Sequence, residues 1–196
     1  QQYPEKRIRF VVAPGPGGST DNLARLLGER LLPALGQPLV YDNRPGAGGI
    51  IAGEVVARAA PDGYTLLFST SAAIAVSVSL YRKLPYDPRR DFAPIVLVAT
   101  QPYMLIAHPG SVSSVKELIA QAKANPGKIS FGSAGSGSTL HLAGELFKSL
   151  AGIDIVHVPY KGGSAAQVDL LAGNIQLMFD SLSTAIPHVR AGKVRA

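Results

Sequence analysis

Two short runs of glycine and hydroxyl residues are the parts of this chain best suited to chemistry. Pro14-Gly15-Pro16-Gly17-Gly18-Ser19-Thr20-Asp21 and Gly132-Ser133-Ala134-Gly135-Ser136-Gly137-Ser138-Thr139 each follow an apolar, strand-like run and lead into a helical pattern. Glycine lets a ligand come close to the backbone, and a helix start offers unpaired N–H groups at the positive end of the dipole. That combination holds an anion. The candidate ligand groups are Pro14, Gly15, Gly17, Gly18, Ser19, Thr20 and Asp21 in the first loop, and Gly135, Ser136, Gly137, Ser138 and Thr139 in the second. Ser19 or Thr20 is expected to cap the first helix with its hydroxyl oxygen. Asp21 and Asp180, each at a helix start, either cap and complement the dipole or touch the ligand, and both readings stay open. Thr70 and Ser71 end one strand and Tyr160, Lys161 and Gly162 follow another, so these point to the same kind of edge. His141 lies one helical step past the second loop and within reach of it.

Several familiar chemistries are excluded by spelling. A phosphate-binding P-loop needs Lys after its last Gly, and neither loop has one. A dinucleotide fingerprint needs Gly three residues after its second glycine, where this chain has Thr20 and Leu140. The nucleophile elbow Gly-x-Ser-x-Gly is absent, Gly162-Gly163-Ser164-Ala165-Ala166 coming nearest. With no cysteine there is no disulfide, thiolate metal site or cysteine nucleophile, and His108, His157 and His188 follow no metal-ligand spacing. No metal or cofactor is expected. The net charge of +6 is spread singly, densest at Arg82, Lys83, Arg89 and Arg90, without the aromatic-interleaved stripe of a nucleic-acid surface. No apolar run is long enough to span a bilayer.

The elements that must position the two loops alternate. An apolar fraction of 46% over 196 residues supports a substantial core. Strands are expected at 6–13, 38–42 and 64–69, with helices opening at Ser19, after Gly49 and after Ser71, the last a small-residue helix to about Leu80. Gly36 stands at the expected C′ stop of the first helix. The near-continuous apolar strands and the strand–helix alternation indicate an α/β fold with parallel sheets. Ala93 to Thr100 reads as a further strand, and the crossover to a second domain is placed after it. The expected domains are 1–100 and 101–196, the second with strands at 103–107, 128–131, 154–158 and 174–179. Asp180-Ser181 is expected to cap the last helix. Lys193-Val194-Arg195-Ala196 reads as the opening of a strand that is cut short, and the polar start Gln1 to Lys6 reads as a mature exported protein after signal-peptide removal.

Five motifs in one order carry a resemblance. Pro14 to Asp21, Asp42-Asn43-Arg44-Pro45-Gly46-Ala47-Gly48-Gly49, Pro61-Asp62-Gly63-Tyr64-Thr65-Leu66, Gly135-Ser136-Gly137-Ser138-Thr139-Leu140-His141 and Val158-Pro159-Tyr160-Lys161-Gly162 resemble the Bug-type extracytoplasmic solute receptors of tripartite tricarboxylate transporters. The resemblance implies a type II periplasmic-binding-protein fold: two α/β lobes about a ligand cleft, with a C-terminal return to lobe one missing here. It implies a periplasmic, non-catalytic protein that captures a small organic acid or amino acid and delivers it to membrane permease subunits. On that reading the two loops form a two-sided carboxylate clamp. The alternatives are an α/β hydrolase or transferase using the loops as an oxyanion or phosphate site, and the effector-sensing domain of a transcription regulator.

Overall fold

A computed structural model describes residues 3–13 and 15–196. The chain divides into two compact units, Gln1–Val96 and Leu97–Ala196.

In the first unit, β1 (Ile8–Val12) lies between β2 (Leu39–Asn43) and β3 (Thr65–Phe68), and both pairings are parallel. Alternate residues of β1 serve opposite faces, as the strand period requires. Phe10 and Val12 pack with Phe68 and Ala24 beneath α1 (Ser19–Leu35), while Val11 and Ala13 pack with Ala52 of α2 (Ile50–Ala57). With a helix on each face, the sheet must be apolar on both, hence the unbroken run in β1. α1 stops at Gly36, whose φ of 64° is the left-handed conformation and whose N–H bonds the Leu32 carbonyl.

The expected small-residue helix forms with a wide first part: Ala72–Val76 is a π-turn leading into α3 (Ser77–Leu80). The cause is local. The Ala73 carbonyl accepts both the Ser77 hydroxyl (2.8 Å) and the hydroxyl of buried Tyr86 (2.7 Å), which occupy the place of regular ladder bonds.

The second unit is built on β4 (Tyr103–Ala107), β5 (Ser130–Ser133), β6 (Val156–Pro159) and β7 (Leu177–Ser181) in the order β4-β7-β5-β6. β5, β6 and β7 run parallel, and β4 runs antiparallel to β7, so that Tyr103 lies opposite Ser181. Leu118 and Ala122 of α4 (Val115–Ala124) cover one face with Phe131, Ile155 and Leu177. α6 (Gly163–Leu171) and α7 (Leu182–Arg190) cover the other through Ala166, Leu170 and Ala185, packed on Ile106 and Met178. α5 (Thr139–Ala151) starts directly after the second glycine loop.

Three sequence expectations are corrected. Ala93 to Thr100 forms no strand; Ile95, Val96 and Leu97 are 76%, 72% and 78% exposed. Its composition suits a strand, but among the described residues no neighbouring edge takes up its N–H and C=O groups, and a strand is stable only within a sheet. Ser19 and Thr20 do not cap α1: Gly18 holds the N-cap position, with no side-chain bond, and Ser19 is already helical. Asp180 does not cap α7 either; it belongs to β7, with Ser181 at the N-cap position.

Candidate functional site

In a parallel sheet, strand ends and helix starts gather on one edge, where ligands of α/β proteins bind. In the first unit that edge carries the ends of β1 and β3 and the start of α1. Pro14 lies outside the described residues. Gly15 is buried, Pro16 and Gly17 are exposed, and Gly18, Ser19 and Thr20 are half-buried. Gly17 has a φ of 72°, and its N–H bonds Asp21 Oδ2 at 3.0 Å. Asp21 is 3% exposed and also takes bonds from Arg25 Nε (3.1 Å) and from Asn43 Nδ2 at the end of β2 (2.9 Å). Burial alone raises this carboxyl, but the bonds from Gly17, Asn43 and Arg25 outweigh it and hold it below the ordinary carboxylate range. The oxygens of Asp21 therefore brace the loop and tie it to Arg25 and Asn43.

Thr70 accepts the Ala72 N–H (3.4 Å), and Ser71 is exposed. Between them and β3 stands Ser69, whose buried hydroxyl has no hydrogen-bond partner among the described residues. It lies near Ala13 and Gly49, since a Cβ built on Gly49 would stand 3.3 Å from each of Ala13 Cβ and Ser69 Oγ. Sequence reasoning missed Ser69, because nothing in the run Phe68-Ser69-Thr70-Ser71 says which hydroxyl turns inward.

The second unit repeats the device at the same helix positions. Ser138 caps α5 by accepting the His141 N–H (3.2 Å). Gly137, with a φ of 78°, sends its N–H to His141 Nδ1 at 3.2 Å, as Gly17 sends its own to Asp21. Gly135 sends its N–H to Ser133 Oγ (3.1 Å), and its carbonyl accepts the Ser138 N–H (3.1 Å). Only glycine fits at 135: its φ is 111°, and a Cβ would stand 3.0 Å from the Tyr160 carbonyl oxygen. The N–H groups of Gly135, Gly137 and Ser138 are thus committed inside the loop. The first-turn N–H groups of Thr139 and Leu140 have no acceptor within the helix and are the groups this loop can offer an anion. Ser136 is the exposed residue of the loop, and Thr139 Oγ1 accepts the hydroxyl of Tyr103 at 2.6 Å.

The remaining candidates divide. Tyr160 donates its hydroxyl to Asp169 Oδ2 of α6 at 2.6 Å; burial and this carboxylate push the phenol up to about 12. Gly162 is buried at the N-cap of α6, and Lys161 is exposed. Asp180 is 4% exposed; Oδ1 meets the Ser181 N–H and Thr184 Oγ1, both at 2.8 Å, and Oδ2 accepts Gln167 Nε2 at 2.9 Å. Burial raises its carboxyl despite those partners. Tyr103 escaped the sequence reading, since only the antiparallel pairing of β4 brings its start to the edge where β7 ends. Among the described residues no group of three His, Cys, Asp or Glu could hold a metal ion.

Comparison with known proteins adds a family to this geometry. The family model described as "Tripartite tricarboxylate transporter family receptor" matches residues 23–196. The chain belongs to that family. BugT of Bordetella pertussis is 42% identical over 196 residues, covering 99% of this chain and 60% of its own length. The chain thus spans about 60% of the length of such curated relatives. Among solved structures, R. palustris Rpa4515 with adipate superposes with a TM-score of 0.94 at 39% identity, over 99% of this chain and 65% of its own. MatC from Rhodopseudomonas palustris with bound malate superposes with a TM-score of 0.93 at 33% identity, over 99% of this chain and 66% of its own. The fold is therefore that of the periplasmic binding proteins, and the resemblance read from the five motifs holds.

Proposed function

We propose that this chain is the solute-capturing part of a periplasmic receptor for a small carboxylate, handing its ligand to membrane permease subunits and performing no chemistry on it. The observation that carries the reading is the opening of α5, where the loop braces itself internally and leaves the Thr139 and Leu140 N–H groups for a ligand oxygen. A carboxylate suits this site because backbone dipoles bind it without a fixed counter-charge that would demand desolvation. Two relatives in the family carry adipate and malate, which supports a dicarboxylate. No helix among the described residues is long and apolar enough to cross a membrane.

One contact favours the hydrolase alternative: Ser133 Oγ stands 2.6 Å from His157 Nε2, the spacing of a nucleophile and its base. Ser133 is fully buried and already bonded by the Gly135 N–H, so no scissile carbonyl reaches it. The test is a calorimetric screen of mono- and dicarboxylates, amino acids and nucleotides against the full-length protein. Saturable binding of one acid class without product formation is expected. Binding of nucleotides alone, or turnover of an ester, would overturn the reading.

A further inference from the structure

Beneath the loop that opens α5 lies a second layer of polar side chains that contact with a ligand does not explain. Ser133 at the end of β5 meets three partners at once: it accepts the Gly135 N–H, lies 3.2 Å from the Gly135 carbonyl, and lies 2.6 Å from His157 Nε2. These are satisfied together when His157 Nε2–H donates to Ser133 and the Ser133 hydroxyl donates to the Gly135 carbonyl. The rings of His157 and His141 lie against each other, tilted by 31°, with centroids 3.9 Å apart, and both pack on Phe131. His141 Nδ1 accepts the Gly137 N–H, so its proton is on Nε2, which faces Glu145 Oε1 at 3.8 Å. His141 thus holds Gly137 directly and His157 holds Gly135 through Ser133, on either side of Ser136.

We propose that Ser133, His157 and His141 are positioning residues: with both imidazoles neutral they hold Gly135–Ser138 in the shape that presents the Thr139 and Leu140 N–H groups, and proton uptake by the pair releases the loop and its carboxylate. This rests on the receptor reading above.

The chemistry of release is direct. A proton on His141 Nδ1 sets two N–H donors against each other where one bond stood. A charge on either ring is desolvated, and a second charge is repelled by the first at stacking distance. The charged groups that face the pair are Glu145 and Lys148 of α5, which pair with each other at 3.3 Å; β5 presents only Phe131 and Ser133, and β6 adds no charge beside His157. Burial, with His141 beside it, lowers His157 to about 4, and burial lowers His141 too, so the braced state is the one present at neutral pH. Among the described residues, the mirrored loop of the first unit is braced by the carboxylate of Asp21 instead of imidazoles.

Two measurements on the full-length protein test this. In the ligand-free protein, the Gly135 and Gly137 amide resonances should move with the imidazole titrations, Gly137 following His141. If Gly137 keeps its shift while His141 charges, the brace is refuted whether or not any ligand binds. With adipate and malate as probes, affinity should fall from about pH 7 to about pH 5 by roughly fivefold more in the wild type than in His141→Asn, which keeps an acceptor near the Nδ1 position but does not titrate. His157→Leu should lose roughly tenfold in affinity, and His157→Gln, which keeps a donor for Ser133, should recover most of that loss. Equal pH dependence in His141→Asn, or tighter binding on acidification, overturns the proposal. If neither probe nor any other acid binds at neutral pH, the receptor reading fails, while the amide titration still decides the brace.

Discussion

The loops at Gly15–Asp21 and Gly135–His141 occupy the same place in their units and differ in what holds them. In each, a glycine of positive φ precedes the N-cap and gives its N–H to the side chain of the third helical residue. In the first unit that side chain is a buried carboxylate with Arg25 and Asn43 on it; in the second it is a neutral imidazole backed by a second imidazole and a serine. One geometry is thus reached with two charges. A carboxylate brace puts a negative charge at the helix start, which disfavours a second anion there, whereas an imidazole brace leaves the dipole unopposed. On the proposed reading, the loop of the second unit is the better suited of the two to a carboxylate.

The largest expected effect comes from removing the charged brace. Asp21→Ala strips partners from Gly17, Asn43 and Arg25 and should lower unfolding stability by about 3 kcal/mol in urea titrations. His141→Ala loses one neutral bond and ring packing and should cost about 1–2 kcal/mol. Equal costs would erase the distinction between the braces.

Acid separates them next. Both imidazoles have lowered folded values, so the unfolded chain binds more protons, and the stability they contribute is present above about pH 6.5 and lost as pH falls, for His157 through about 4. Asp21 is also lowered, from 3.8, so its contribution persists until pH falls below that value. Thermal melts against pH should therefore show a step between about 6.5 and 4 that His157→Gln and His141→Asn reduce and Asp21→Asn does not. A step that survives in the histidine variants would contradict the assignment.

The smallest effect concerns the caps. Ser138→Ala should cost about 1 kcal/mol, because its oxygen serves the His141 N–H, whereas Gly18→Ser should gain a few tenths, about 0.3 kcal/mol. Among the described residues, a Cβ on Gly18 meets only the Gly15 carbonyl at 3.6 Å, an ordinary contact.

Much of this was legible in the sequence where a local rule sufficed. Gly36 ended α1 because only a left-handed residue can follow that helix, and the run Ile8–Val12 announced a strand covered on both faces. The two loops were legible as glycine-rich turns leading into helix starts. Illegible were the partners brought from afar. His157 is a lone strand histidine until it meets Ser133, 24 residues earlier in the chain, and Tyr103 reaches the edge where β7 ends only through antiparallel pairing. The bond from the Tyr160 hydroxyl to Asp169, nine residues on, could not be read from the loop motif. Ala93 to Thr100 failed for the opposite reason: composition favours a strand, but pairing is a property of the neighbour.

The most direct test is an amide-resolved NMR titration of the full-length protein with adipate and with malate. Thr139 and Leu140 should shift saturably as ligand oxygen takes up their N–H groups, with Gly137 remaining bonded to His141 and little changed. Saturable binding that leaves Thr139 and Leu140 unmoved would contradict the placement of the carboxylate at the start of α5.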